Sequence, residues 1–413
     1  MERERKISLT TKIFIALIIG VIVGLVLHPL KNNPYVEKYL LNFVFTFLGN
    51  GFVRAIRMVV VPLVLCSLVM GAAGIEDVTK LGRIGAKTLI FYLSTTAIAV
   101  VLALVGGNII NPGKGVNISD IATTVVSVDK TKPFVDILLD MIPINPIEAL
   151  AKGDMLQIIV FSIILGIAMS LLGEKANEAK KLFEAGNNIS LKLVEIIMLF
   201  APLGVFGLIA KTFTTLGYIA LVPLFKYFMG VVVILFIHCL VTYQSILVLF
   251  GKYNPIKFFK NFAPTMLVAF STASSSACLP SSLKTMQENF GVSKAISSFT
   301  IPLGNTINMD GTAVMQGVAT IFIAQIYGID LTMGNYITII LTATLASIGT
   351  AGVPGVGVIM LGMVLVQVGL PLEGIGLVMG IDRFVDMFRT TVNVTGDAVC
   401  TLVIAKSEKE NIK

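Results

Sequence analysis

Ser271-Thr272-Ala273-Ser274-Ser275-Ser276-Ala277-Cys278-Leu279-Pro280 lies in the middle of one long apolar run, Ala263–Leu283. Ser347-Ile348-Gly349-Thr350-Ala351-Gly352-Val353-Pro354-Gly355-Val356-Gly357 lies in the middle of another, Asn335–Val368. Each puts small, helix-weakening residues and a proline where an inserted helix needs its backbone hydrogen bonds. Non-helical backbone survives at bilayer depth only where protein or a water-filled cavity satisfies it. Ordinary helices with small residues for close contact are the plainer alternative, but that reading has to hold for both segments at once. The two also bracket a run that itself carries Asn308-Met309-Asp310-Gly311. They are therefore read as re-entrant helical hairpins, about 257–285 and 335–368. A matched pair of interrupted apolar segments is the sequence pointer to a transporter binding site near the midplane.

The rest of the chain supplies the membrane setting. Hydrophobic residues make up 55% and charged residues 13% of the 413 positions, against about 25% charged in soluble domains. The mean hydropathy is +0.90. Apolar runs of roughly 20 residues recur, each long enough for about 30 Å of hydrocarbon. No small-residue cleavage site follows Ile13–Leu27, so that run reads as a retained first span. Cys66, Cys239, Cys278 and Cys400 have no CxxC partner and sit in apolar surroundings, which implies neither a disulfide framework nor a metal site. The net charge of +7 is spread over loops, so it reads as topology and not as a nucleic-acid surface. Lys and Arg concentrate in Met1–Lys12, Lys80–Lys87, Lys175–Lys181, Lys252–Lys260, Lys284–Lys294 and Lys406–Lys413. By the positive-inside rule these segments and both termini are cytoplasmic. An even number of crossings follows, placed at 12–28, 41–73, 85–110, 133–172, 186–216, 222–250, 295–327 and 374–404, several long enough to require tilts or breaks. The first hairpin then enters from inside and the second from outside. The expected fold is an all-α polytopic membrane protein of eight transmembrane helices and two opposed hairpins.

The last span carries the densest chemistry. From Asp386, the residues Arg389, Thr390, Asn393 and Asp397 fall at i+3, i+4, i+7 and i+11, which is one helical face. Asp382 and Arg383 extend it by a turn, and Phe384, Val385, Phe388, Val392 and Val399 form the opposite side. A charge at the bilayer centre costs at least about 2.5–3.5 kcal/mol on insertion scales, so the polar face must look into protein. Arg389 offers a planar fork suited to a carboxylate. Asp386, one turn away, suits an ammonium. Together they describe a ligand with an amino group and an extra carboxylate, such as aspartate or glutamate. Asp397 and Asn393, with Asp310 and Asn308, supply hard oxygens of the kind alkali cations prefer. The competing reading is internal ion pairing, with Arg383 or Arg389 neutralising Asp382, Asp386 or Asp397. It leaves unexplained why charges stand in a membrane at all, since an apolar helix would cost less.

With these residues in view, the sequence resembles the glutamate transporter family, the dicarboxylate/amino acid:cation symporters, over essentially its whole length. The markers are Ser274–Ser276 with Leu279-Pro280, Asn308-Met309-Asp310-Gly311-Thr312, Ser347–Gly355, and Asp386 to Asp397. The resemblance implies a homotrimer of independent subunits in the cell (inner) membrane, surrounded by lipid and working as an elevator. Residues 1–75 and 112–220 would form the scaffold and trimer contacts; 76–111 and 221–413 would form the moving transport domain. It implies a substrate carboxylate held by Ser275 and the backbone of Val353 and Gly357, and an amino group on Asp386. A side-chain carboxylate would meet Arg389 and Thr312 near Asn393, with Ser274, Ser276 and Thr390 completing the set. It implies three co-transported Na+ ions. One would sit among Gly304, Asn308, Asn393 and Asp397. The second would use Thr306, Ser347, Ile348 and Thr350, and the third Tyr92, Thr95, Thr96, Asn308 and Asp310. The second hairpin would be the extracellular gate.

Some members of that family carry an arginine just before the serines, where this chain has Ala273; here Arg383, one turn before Asp386, could supply that charge from the helix. Several alternatives stay open. Protonatable Asp310, Asp386 and Asp397 could serve H+ coupling in place of Na+. A C4-dicarboxylate carrier needs no partner for an ammonium, against Asp386. A neutral amino acid carrier needs no side-chain carboxylate partner, against Arg389. An intramembrane hydrolase would need a base near the serines, and the two histidines, His28 and His238, read as structural or interfacial. The chain is therefore expected not to be an enzyme. A pure ion channel would conduct without a carried substrate.

Overall fold

The computed structural model describes residues 9–73, 82–114, 139, 141–348, 355–410 and 412. Among them every regular element is helical. The elements are α1 (Leu9–Leu27), α2 (Thr46–Ala73, entered through a π-helical turn Val36–Phe45), α3 (Gly82–Ile110), α4 (Pro146–Lys152), α5 (Met155–Leu172), α6 (Asn177–Leu199) and α7 (Ala201–Leu216). Then come α8 (Leu221–Ile237), α9 (Pro255–Thr272), α10 (Ser275–Glu288), α11 (Lys294–Ile307), α12 (Asp310–Ile326), α13 (Met333–Ala346), α14 (Val356–Gln367) and α15 (Ile375–Ser407). Four continuous helical stretches of the described residues are long and apolar enough to cross a membrane: Thr11–Leu30, Arg83–Ile110, Gln157–Leu199 and Leu221–Gly251.

Both interrupted segments are helix pairs. α9 ends at Thr272, Ala273 turns the chain with a left-handed φ of 48°, and the Ser274 hydroxyl accepts from the Ala277 N–H to start α10. A residue with a Cβ in that conformation costs about 1–2 kcal/mol, which the serine cap offsets. α13 opens with a capping box of Thr332 and Asn335, and Gly355, at φ 88°, precedes α14. The connection, residues 349–354, lies outside the described residues, and with it the expected contacts of Thr350 and Val353.

Three of the over-long expected spans contain the breaks that their length required. The run 295–327 is not one helix: Asn308 and Met309 leave helical geometry and separate α11 from α12. The run 186–216 is divided at Phe200, because Pro202, lacking an N–H, falls in the first turn of α7. Within 133–172, Gly153 at φ 73° ends α4 before Asp154 leads into α5. By contrast the run 374–404 is a single helix, α15, of 33 residues.

The helices pack in two groups. α1 lies along α7, and α2 packs on α5, α6 and α7. α15 is surrounded by α8, α9, α10, α11 and α12, while α3 lies against α12 and α13. The groups meet where α15 touches α7 and α14 touches α2. α12 is buried almost throughout, as expected of a helix wrapped by others. On the side of α15 away from its charges, Phe388 is ringed by Phe228, Phe236 and Phe270 at centroid distances of 6.4, 6.2 and 5.1 Å.

Candidate functional site

α15 presents its polar face to the helices around it. Asp382, Asp386, Arg389, Thr390, Asn393 and Asp397 are each 5% exposed or less. Arg389 donates to Asp386 Oδ1 from Nε at 3.1 Å and from Nη2 at 2.5 Å, and from Nη1 to Asp382 Oδ1 at 3.4 Å. Thr390 Oγ1 stands 3.5 Å from Asp386 Oδ1, and Arg383 Nη1 donates to Asp386 Oδ2 at 3.4 Å. The internal pairing weighed from sequence is therefore real. It sets a buried arginine between two carboxylates, with a second arginine on the other oxygen of Asp386. The first turn of α14 closes over the pair: a Cβ on Gly357 would strike the Arg389 guanidinium.

A second cluster forms where the α11–α12 break faces α15. Asn308 Nδ2 donates to Asp397 Oδ1 at 2.8 Å and to the Asn393 carbonyl at 2.9 Å. Asn393 Oδ1 accepts from the Gly311 N–H at 2.7 Å, and Asn393 Nδ2 and Thr312 Oγ1 both reach Met309 Sδ. Gly304 stands where a Cβ would collide with Asp397 Oδ1 and with the Tyr92 hydroxyl, so those two groups converge on it. Asn308 Oδ1 is buried and takes no hydrogen bond from a described residue. A buried acceptor left open beside a carboxylate is what a hard cation would complete.

A third cluster surrounds Asp310, which is fully buried. Its Oδ1 accepts from Thr96 Oγ1 at 2.5 Å, and its Oδ2 from Tyr243 OH at 2.8 Å, with His238 Nε2 at 3.1 Å. Thr95 Oγ1 donates to the Tyr92 carbonyl, Thr96 Oγ1 lies 2.8 Å from the same oxygen, and Tyr92 OH donates to the Thr300 carbonyl. Elsewhere, Ser275 is buried at the start of α10, and Ser276 exchanges hydrogen bonds with Asn305. Thr306 donates to Pro302, and Ser347 to Thr344, while Ile348 is buried at the end of α13.

The sequence that builds this arrangement is similar to those of known proteins. The sodium:dicarboxylate symporter family model matches residues 9–407. The chain belongs to that family. Among similar proteins, the proton/sodium-glutamate symport protein of Geobacillus stearothermophilus is 40% identical, over 98% of this chain and 95% of its own. The proton/glutamate-aspartate symporter of Escherichia coli K12 is 36% identical over 98% and 93%. A C4-dicarboxylate transport protein of Bacillus subtilis is 35% identical over 98% and 94%. The chain is thus a transporter and not an enzyme.

Sequence reasoning missed two partners of Asp310. At about 100° per residue His238 and Tyr243 fall on different faces, but the chain between them is π-helical. The i→i+5 turn brings both onto the buried carboxylate. His238 is fully buried in the Asp310 cluster. His28 Nδ1 donates to the Thr214 carbonyl, 2.9 Å away, and ties the end of α1 to α7.

Proposed function

We propose that this transporter takes up an acidic amino acid, aspartate or glutamate, together with sodium ions. The observation that carries the reading is the buried Asp386–Arg389 pair, one group for an ammonium and one for a side-chain carboxylate. Gly357 and Thr390 lie against that pair, and Ser274, Ser275, Ser276, Thr312 and Val353 are assigned to the same substrate site. Cations are assigned to Asp397, Asn308, Asn393 and Gly304, and to Asp310 with Tyr92, Thr95 and Thr96; the open Asn308 Oδ1 supports the first. The set Thr306, Ser347, Ile348 and Thr350 is assigned a third ion. Names of relatives that couple glutamate to protons or sodium agree with this class of substrate.

The eight-span, elevator-type homotrimer in the cell membrane, with both termini inside, belongs to the same proposal. The two packing groups support it, because α1, α2, α5, α6 and α7 would be the static part and α3 with α8–α15 the moving part. Three sodium ions at tenfold gradients provide about 4 kcal/mol. Two net charges at 100 mV provide about 5 kcal/mol more. That suffices for roughly million-fold accumulation. The test is uptake of labelled aspartate and glutamate into proteoliposomes under imposed sodium or proton gradients. Sodium-driven accumulation is expected; accumulation on a proton gradient without sodium would overturn the cation assignment.

A further inference from the structure

The two oxygens of Asp386 are used unequally. Oδ1 already accepts two N–H groups of Arg389 and stands near Thr390, whereas Oδ2 accepts from Arg383. Arg389 is anchored twice, on Asp386 and Asp382, and is 3% exposed. Its departure would strand two buried carboxylates. The Arg383 side chain is 23% exposed and holds Asp386 at 3.4 Å, the weak end of hydrogen-bond geometry. It reaches in from the rim. An ammonium seeking Asp386 therefore meets Oδ2, the oxygen that Arg383 holds. Two cations do not share one buried carboxylate oxygen without strong repulsion.

We infer that Arg383 is a built-in stand-in for the substrate's amino group. It sits on Asp386 Oδ2 in the empty site, gives way to an ammonium, and stays when the ligand is a dicarboxylate without one. This role presupposes the acidic amino acid reading above. With Arg383 in place, a succinate dianion does not face an uncompensated Asp386 charge, and a buried unpaired carboxylate is the costly case. Arg383 is then a specificity-setting residue: it weakens aspartate by competition and admits amine-free C4-dicarboxylates as weaker ligands.

Binding of L-aspartate and of succinate to the purified full-length protein in sodium buffer tests this, comparing wild type with Arg383→Gln and Arg383→Lys. Arg383→Gln is expected to tighten aspartate about tenfold and weaken succinate about tenfold, the scale of one partly buried charge pair. Arg383→Lys should keep most of the wild-type ratio. A merely structural arginine would move both ligands the same way. Parallel shifts, an unchanged ratio, or no succinate binding to wild type that binds aspartate would each overturn the inference alone. Wild type that binds neither ligand would instead sink the parent reading. If Arg383→Gln does not fold, Arg383→Met, which keeps an apolar stem and drops the charge, carries the same comparison.

Discussion

Arg389 and Gly304 locate the two halves of the proposed cycle. Arg389→Ala removes the carboxylate fork and leaves Asp386 with Arg383 as its remaining charged partner. Acidic substrates should lose more than about a hundredfold in affinity, the cost of truncating a buried charge pair, while neutral amino acids gain. Competition by serine or alanine against labelled aspartate reads this out, and retained aspartate affinity would refute the role. Gly304→Ala places a methyl against Asp397 and Tyr92. The sodium concentration for half-maximal uptake should rise about tenfold, the usual scale of a disturbed ligand shell. An unshifted sodium dependence would remove Gly304 from the cation assignment. At this scale much was legible in the sequence, because Asp386, Arg389, Asn393 and Asp397 share a face by helical arithmetic alone. The salt bridges were foreseen as a possibility; their registry, with Arg389 on two carboxylates and Arg383 on one oxygen, required side-chain positions that spacing does not fix.

Hairpins were readable as elements because small residues and prolines in the middle of apolar runs conflict with a continuous helix. The break in 295–327 was harder to see, since Asn308 and Met309 are compatible with a helix until tertiary contacts draw the Asn308 amide to Asp397 and Asn393. The π-helical turn that follows α8, His238–Tyr243, left no periodic trace. Its importance is testable: Tyr243→Phe deletes one hydrogen bond to the buried Asp310 carboxylate. Such a bond is worth about 1.5–3 kcal/mol, so the apparent melting temperature should fall by several degrees. An unaltered melting temperature would show that the hydroxyl is dispensable. Gly311 makes a complementary case, because a Cβ there would collide with the Arg389 carbonyl. Gly311→Ala should push α12 from α15 at about 1–3 kcal/mol, lowering aspartate affinity and stability together.

Across the whole molecule, the grouping of helices was suggested by family likeness and not by periodicity, since apolar spans resemble one another whichever neighbour they pack on. One tie between distant segments was invisible beforehand. Glu408, just past α15, bonds Arg83 and Lys87 at the start of α3, and Glu410 accepts from the Ser293 N–H before α11. The hydrogen bonds from Lys87 and Arg83 hold the Glu408 carboxyl below its ordinary value of 4.5. A depressed folded value means the contribution is present above about pH 4.5 and is lost as pH falls through the lower folded value. Glu408→Gln should therefore lower the melting temperature slightly at pH 7 and flatten its acid-side decline; an identical decline in both proteins would refute the tie. Finally, the 33 residues of α15 run without interruption from the Asp382–Arg389 pair past Asp397, a rod about 50 Å long at 1.5 Å per residue. A coupled pump leaks when one passenger travels without the other. If both proposed berths are cut into the same stiff rod, mechanics cannot separate the passengers, and slippage has to arise from a vacant berth at departure.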